Sequence, residues 1–119
     1  MKLLIVDDSL LMRKAVERSL AEKAFTVVGS APDGVEALRI FSETLPDLVT
    51  LDISMPKMDG LSCLKEMLKV KPDAKILMVS SQTDNATADE IMKLGAAGIV
   101  GKPFTSAQMI EKVNEILKT

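Results

Sequence analysis

The chain contains no histidine, no tryptophan and no tyrosine in its 119 residues, and it has a single cysteine. Each absence removes chemistry. Without an imidazole there is no Ser-His-Asp triad, no histidine-ligated zinc and no histidine general base. The lone thiol, Cys63, has no partner for an internal disulfide, which points to a reducing compartment. No run of about 18 apolar residues occurs, so no membrane span is expected. The apolar opening Leu3-Leu4-Ile5-Val6 is cut by Asp7-Asp8. That is short of the roughly 7–15 apolar residues of an export signal, so the expected location is the cytoplasm. Lys and Arg number 15 against 17 Asp and Glu, and a net charge of −2 offers no broad basic face to nucleic acid or lipid. What remains is chemistry on carboxylates, hydroxyls, lysine and a hard cation.

The rest of the composition, 47% hydrophobic and 27% charged, is that of a folded globular chain, and the length fits one domain over residues 1–119. Five short apolar runs recur at even intervals, at residues 3–6, 26–28, 48–51, 76–79 and 99–100. Each is followed by a polar break and a segment with helical spacing. In the first segment Leu11/Met12, Ala15/Val16 and Ser19/Leu20 share one side, with Arg13, Glu17 and Lys23 elsewhere. The second carries Val35, Leu38, Phe41 and Leu45, and the third Leu61, Leu64 and Leu68. The fourth carries Ala88, Ile91 and Leu94, and the last Met109/Ile110, Val113 and Ile116/Leu117. Strands that are apolar throughout need cover on both faces, so the pattern predicts an α/β fold: an open, doubly wound parallel sheet with right-handed crossovers. Asp33-Gly34, Lys71-Pro72-Asp73, Gly95 and Thr105-Ser106 supply the breaks and caps between elements.

Ligands of such sheets bind beyond the carboxyl ends of the strands. The residues there are Asp7 and Asp8 after the first run, Asp52 at the third, Ser80 and Ser81 after the fourth and Lys102 after the fifth. Singly, each has a plain reading. Asp7 or Asp8 would cap the first helix, the serines would serve a turn, and Lys102 would be a solvated loop lysine. Asp52 resists that reading, because it ends an apolar run expected near the sheet centre. Their convergence on one edge from four strands is harder still to assign to chance. Three carboxylates against one ammonium leave two uncompensated negative charges, which a divalent cation cancels. An all-oxygen, water-keeping site suits Mg²⁺. With Lys102 it would neutralise a phosphoryl group in an in-line transfer to Asp52.

Four segments carry a wider likeness: Val6-Asp7-Asp8-Ser9, Leu51-Asp52-Ile53-Ser54-Met55-Pro56-Lys57-Met58-Asp59-Gly60, Val79-Ser80-Ser81 and Gly101-Lys102-Pro103-Phe104. In this order, and over essentially the whole chain, the sequence resembles the receiver domain of two-component response regulators, in particular stand-alone CheY-like proteins. The resemblance implies a flavodoxin-like fold of five helices and five strands in the order 2-1-3-4-5. It makes Asp52 the phosphoacceptor. Asp7 and Asp8 would hold Mg²⁺, joined by the Asp52 carboxylate and the backbone carbonyl of Ser54. Ser80 would hydrogen-bond the phosphoryl oxygen and Lys102 would pair with it, with a cis bond between Lys102 and Pro103. Asp59 would cap the third helix.

The same resemblance implies a partner histidine kinase as phosphodonor and no enzymatic turnover beyond the protein's own phosphorylation and dephosphorylation. The added charge would draw Ser80 inward and shift the face built by the fourth helix, fifth strand and fifth helix, altering the binding of a protein target. The first expectation is chemotaxis signalling to a flagellar motor switch protein, by a monomer with no direct nucleic-acid or membrane partner. The alternative is a stand-alone phosphorelay or adaptor receiver.

The chain departs from the family at several positions. Ile99 stands where an aromatic usually turns with the switch, so the switch must work through aliphatic packing. Gly101 replaces a bulkier residue, Ser81 a smaller one, and Ser54 and Gln82 occupy positions that tune phosphoryl lifetime in relatives. Ala96-Ala97-Gly98 lack the acids of OmpR-type dimers. A haloacid-dehalogenase-type phosphohydrolase wants an acid two residues after its nucleophile, where this chain has Ser54. A cobalamin module needs a histidine, and a flavin module needs stacking aromatics and a phosphate loop. A DNA-binding regulator is not the expectation, since these 119 residues leave none for a helix-turn-helix domain. The eight methionines read mainly as core, Met12, Met67 and Met78 among them, with Met92 and Met109 expected near the output face.

Overall fold

The computed structural model describes residues 1–81 and 84–118, and within them strand and helix alternate five times. The elements are β1 (Lys2–Val6), α1 (Leu10–Ser19), β2 (Thr26–Ala31), α2 (Gly34–Thr44), β3 (Leu48–Asp52), α3 (Gly60–Val70), β4 (Ile76–Ser80), α4 (Asn85–Lys93), β5 (Gly98–Gly101) and α5 (Ser106–Leu117). All pairings are parallel and the order is β2-β1-β3-β4-β5, as expected of a flavodoxin-like sheet. The apolar runs of β1, β3 and β4 are buried because helices cover both faces. One face joins Leu4, Val6, Val49, Leu51 and Met78 to Ala37 and Phe41 of α2, Leu64 and Met67 of α3 and Ile91 of α4. The other joins Leu3, Ile5, Leu48, Leu77 and Val79 to Val16 of α1 and to Met109, Val113 and Ile116 of α5.

Each helix starts on a side-chain cap: Ser9, Asp33, Asp59, Asp84 and Thr105 each accept a hydrogen bond from a backbone N–H in the first turn. Thr105 and Gln108 complete a capping box. The cap of α1 is therefore Ser9, not Asp7 or Asp8. Its hydroxyl takes the Met12 N–H at 3.3 Å, leaving both acids to the sheet edge. Gly95 ends α4 with a φ of 107°, a conformation glycine adopts without strain.

Some helical positions differ from the expected stripes. Leu11 is 76% exposed, because the buried stripe of α1 begins a turn later at Val16 and runs through Ser19 to Leu20. Val35 and Leu45 are also exposed. The inward side of α2 is Gly34, Ala37 and Phe41, and Leu45 lies past the helix end in a left-handed cap. Met67 and Met78 are core residues and Met12 is half-buried. Met109 is fully buried against the sheet rather than on the output face, whereas Met92 is exposed. Cys63 is a packing residue whose thiol faces the Gly34 carbonyl at 3.7 Å, with its pKa pushed up to about 12 by burial. Among the described residues no helix is long and apolar enough to cross a membrane.

α3 begins flush against the end of β3. The Gly60 N–H donates to the Ile53 carbonyl at 2.7 Å, and a Cβ on Gly60 would stand 2.1 Å from the Asp52 carbonyl oxygen and 2.6 Å from the Ile53 Cα. Both obstacles are backbone. Gly60→Ala is expected to cost about 2 kcal/mol or more of stability, by overpacking at a site with no flexible neighbour. A urea midpoint equal to that of the unaltered chain would show that the segment yields.

Candidate functional site

Parallel register brings the carboxyl ends of four strands level: Val6 pairs with Leu51, Asp52 with Val79 and Ser80 with Gly101. Asp7 follows β1 directly, Asp52 ends β3, Ser80 ends β4 and Lys102 follows β5. Asp7, Asp52 and Ser80 are each at most 5% exposed, while Asp8 faces solvent. One carboxylate oxygen from each of Asp7, Asp8 and Asp52 lies within 4.8 Å of the others. The Lys102 ammonium lies 2.8 Å from Asp7 Oδ2 and 3.1 Å from Asp52 Oδ1, bridging the two buried acids. A cleft of about 250 Å³ opens over the group, lined by Asp8, Asp52, Ser54, Ser80, Ser81 and Lys102. The Lys102-Pro103 bond is cis, and the Lys102 N–H donates to the Ser80 carbonyl at 2.8 Å, joining the ends of β4 and β5.

The electrostatics follow from burial and crowding. Burial and then the Asp7 charge push the Asp52 pKa above the ordinary carboxylate value, only partly opposed by Lys102 and by the Ser54 backbone N–H. Burial alone would lower the Lys102 pKa, but its hydrogen bonds to Asp7 and Asp52 outweigh that and raise it, so the ammonium is held. A carboxylate whose charged form burial and a neighbouring acid disfavour, beside two more oxygen donors, fits a hard divalent cation of the Mg²⁺ kind. Asp52, though buried, lines the cleft and so can meet a ligand there. Ser80 and Lys102 present a hydroxyl and a cation at its wall.

All the strand-end residues singled out in the sequence meet here, including Ser54 on the cleft wall; Gln82 lies outside the described residues. Ile99 does not line the cleft. It is half-buried in β5, on a groove of about 490 Å³ between α4 and α5 that Met92 and Ile116 also line. Two contributors had no role assigned to them from the sequence. Arg13, assigned by spacing to the outer side of α1, turns back and donates from Nη1 to the Asp7 carbonyl at 2.6 Å. Lys57, in the left-handed region at φ 68°, pairs with the buried α2 cap Asp33 at 3.6 Å. The Asp33 carboxyl is held below its usual range by the Glu36 N–H first, and by Lys57. This pair ties the loop that follows Asp52 to α2. A glycine or asparagine at position 57 would have signalled the turn, and a lysine does not.

Residues 3–114 match the family model of the response regulator receiver domain. The chemotaxis protein CheY of Thermotoga maritima is 37% identical over 117 residues, covering 98% of each chain. Among solved structures, a chain of the CheX–CheY–BeF3–Mg²⁺ complex of Borrelia burgdorferi superposes with a TM-score of 0.95 at 30% identity, covering 98% of this chain and 89% of that one. The response regulator domain of Thermotoga maritima CheB gives a TM-score of 0.87 at 33% identity, covering 99% and 94%.

The raised Asp52 pKa fixes a sign. The folded chain holds the Asp52 proton more tightly than the unfolded chain does. Ionisation therefore costs stability, fully above the folded pKa and not at all below the unfolded value of about 4. Asp52→Asn is expected to raise the melting temperature of the metal-free protein at pH 7, with the gain fading as pH falls through the raised Asp52 pKa and gone by about pH 4. Lower stability of that variant at pH 7 would mean that the bridge to Lys102 outweighs burial and crowding.

Proposed function

The chain belongs to the response regulator receiver domain family, and from that premise we propose that Asp52 is its phosphoacceptor, charged by the phosphohistidine of a partner kinase. A carboxylate oxygen of Asp52 attacks phosphorus, the P–N bond to the donor imidazole breaks, and that nitrogen leaves with the bond's electron pair and takes up a proton. Asp7, Asp8, the Asp52 carboxylate and the Ser54 carbonyl would hold Mg²⁺, which when bound neutralises charge on the phosphoryl oxygens. Lys102 leaves its bridge between Asp7 and Asp52 and pairs with a phosphoryl oxygen, so the ammonium keeps one negative partner throughout. The Ser80 hydroxyl donates to another. The observation that carries this reading is the buried Asp52 carboxylate at the end of a central strand, within reach of two further acids and a lysine. The protein's chemistry ends with loss of its own phosphoryl group, to water.

The same charge change reaches the output face by a short path. Ser80 and Lys102 are joined by a backbone hydrogen bond, and Lys102 follows β5, so movement at the phosphoryl group displaces the strand that carries Ile99. With an aliphatic at position 99, the α4–β5–α5 surface changes through packing. Likeness to CheY over nearly the full length supports a cytoplasmic, monomeric chemotaxis signal whose first target to test is a flagellar motor switch protein. The likeness to a complex named for CheX and CheY supports a CheX-type target as the second.

Acetyl phosphate with Mg²⁺ is expected to add one phosphoryl group to the intact mass, lost in base, and none to Asp52→Asn or in excess chelator. Equal modification of Asp52→Asn would overturn the assignment, and so would an unmodified parent protein. Turnover of small phosphate esters at enzyme rates would favour a hydrolase instead.

A further inference from the structure

Arg13 is the fourth residue of α1, and its side chain returns toward the start of the helix, as long helical side chains do. There it donates from Nη1 to the Asp7 carbonyl at 2.6 Å. That oxygen belongs to the peptide joining Asp7 to Asp8. The other polar groups of Asp7 are also held: its N–H by the Ala31 carbonyl at 3.1 Å, Oδ1 by the Ser9 N–H at 2.9 Å and Oδ2 by Lys102. Asp8 is exposed, and no side-chain hydrogen bond to the described residues holds it. Its aim is set by the peptide behind it, and Arg13 holds the carbonyl of that peptide.

Helix stability does not account for this arrangement. A cation near a helix N-terminus opposes the macrodipole, and an arginine on the outer side of α1 would keep all five donors in water. Here the Nε is buried with no partner among the described residues, a cost incurred to place Nη1 on the Asp7 carbonyl. We infer that Arg13 is a positioning residue of the cation site, orienting the Asp7–Asp8 peptide so that both acids face one ion. The inference rests on the Mg²⁺ site proposed above.

The sign of the effect separates positioning from charge. Removing a nearby positive charge would, by electrostatics alone, tighten binding of a dication. Losing the orienting hydrogen bond weakens it, by about tenfold or more for outer-shell partners of metal ligands. Titrating MgCl2 calorimetrically into the whole protein, without phosphodonor, is expected to show Arg13→Met binding about tenfold more weakly than the parent. Arg13→Lys, which keeps the charge and one donor, should fall between the two. Circular dichroism and melting curves without metal report the fold separately. An Arg13→Met protein that folds and binds Mg²⁺ equally or more tightly overturns the inference, as does a lowered melting temperature with an unmoved dissociation constant. If Arg13→Met does not fold, Arg13→Lys decides: weakening of about threefold or more supports positioning, and parent-like affinity overturns it. A parent protein that binds no Mg²⁺ at all defeats the metal site itself, a result distinct from equal binding by parent and variants.

Discussion

The structure turns on the Lys102 ammonium set between Asp7 and Asp52. Three carboxylates gathered within 4.8 Å repel one another, and two of them are cut off from the water that would screen them. One lysine reaching across both makes the cluster tolerable before any ion arrives. On the function proposed above, it would also make the cluster exchangeable, a dication on the acids leaving the ammonium to pair with an anion in the same cleft. The raised pKa values of Asp52 and Lys102 are two expressions of that arrangement.

The sheet makes the arrangement possible. Parallel strands in the order β2-β1-β3-β4-β5 end on one level, so residues 45 positions apart along the chain, Asp7 and Asp52, become neighbours. The same geometry keeps the chemistry on one rim while two separate cores secure the helices on either face. The side chain of Ser9 caps α1, so Asp7 and Asp8 are not consumed as helix caps. Gly60 lets the start of α3 pack directly on the backbone at the end of β3, closing the loop 53–59 back onto the strand that carries Asp52.

Much of this was legible in the chain itself. The uninterrupted apolar strands announced a sheet covered on both faces, and residues just beyond four of the five runs marked the cleft. Capping residues placed most helix starts within a position or two. What was not legible depended on contacts between distant segments or on a backbone state that the residue type hides. Leu11 and Val35 have the spacing of buried positions, yet they lie where no neighbouring element covers them. Met109 was expected near the output face, but packing α5 on the sheet buries it completely. Lys57 carries a left-handed turn without the glycine or asparagine that would betray it, and its partner Asp33 is 24 positions away. Arg13 looked like a solvated residue because periodicity describes where a Cβ points, not where a long side chain ends.

The tie between Lys57 and Asp33 has a bearing on how this molecule can be altered. The stretch from Asp52 to Lys57 begins at the end of the central strand and is tied at Lys57 to the cap of α2, with Ser54, a cleft-lining residue, between the two. An added residue in this stretch would shift Ser54 relative to Asp8 and Asp52, with which it lines the cleft. The connections at the opposite rim, 45–47 and 71–75, lead from helix to strand far from the acids. Length variation, fusion joints and affinity handles inserted within the chain belong at that far rim, where the fold can absorb them and the cleft does not feel them.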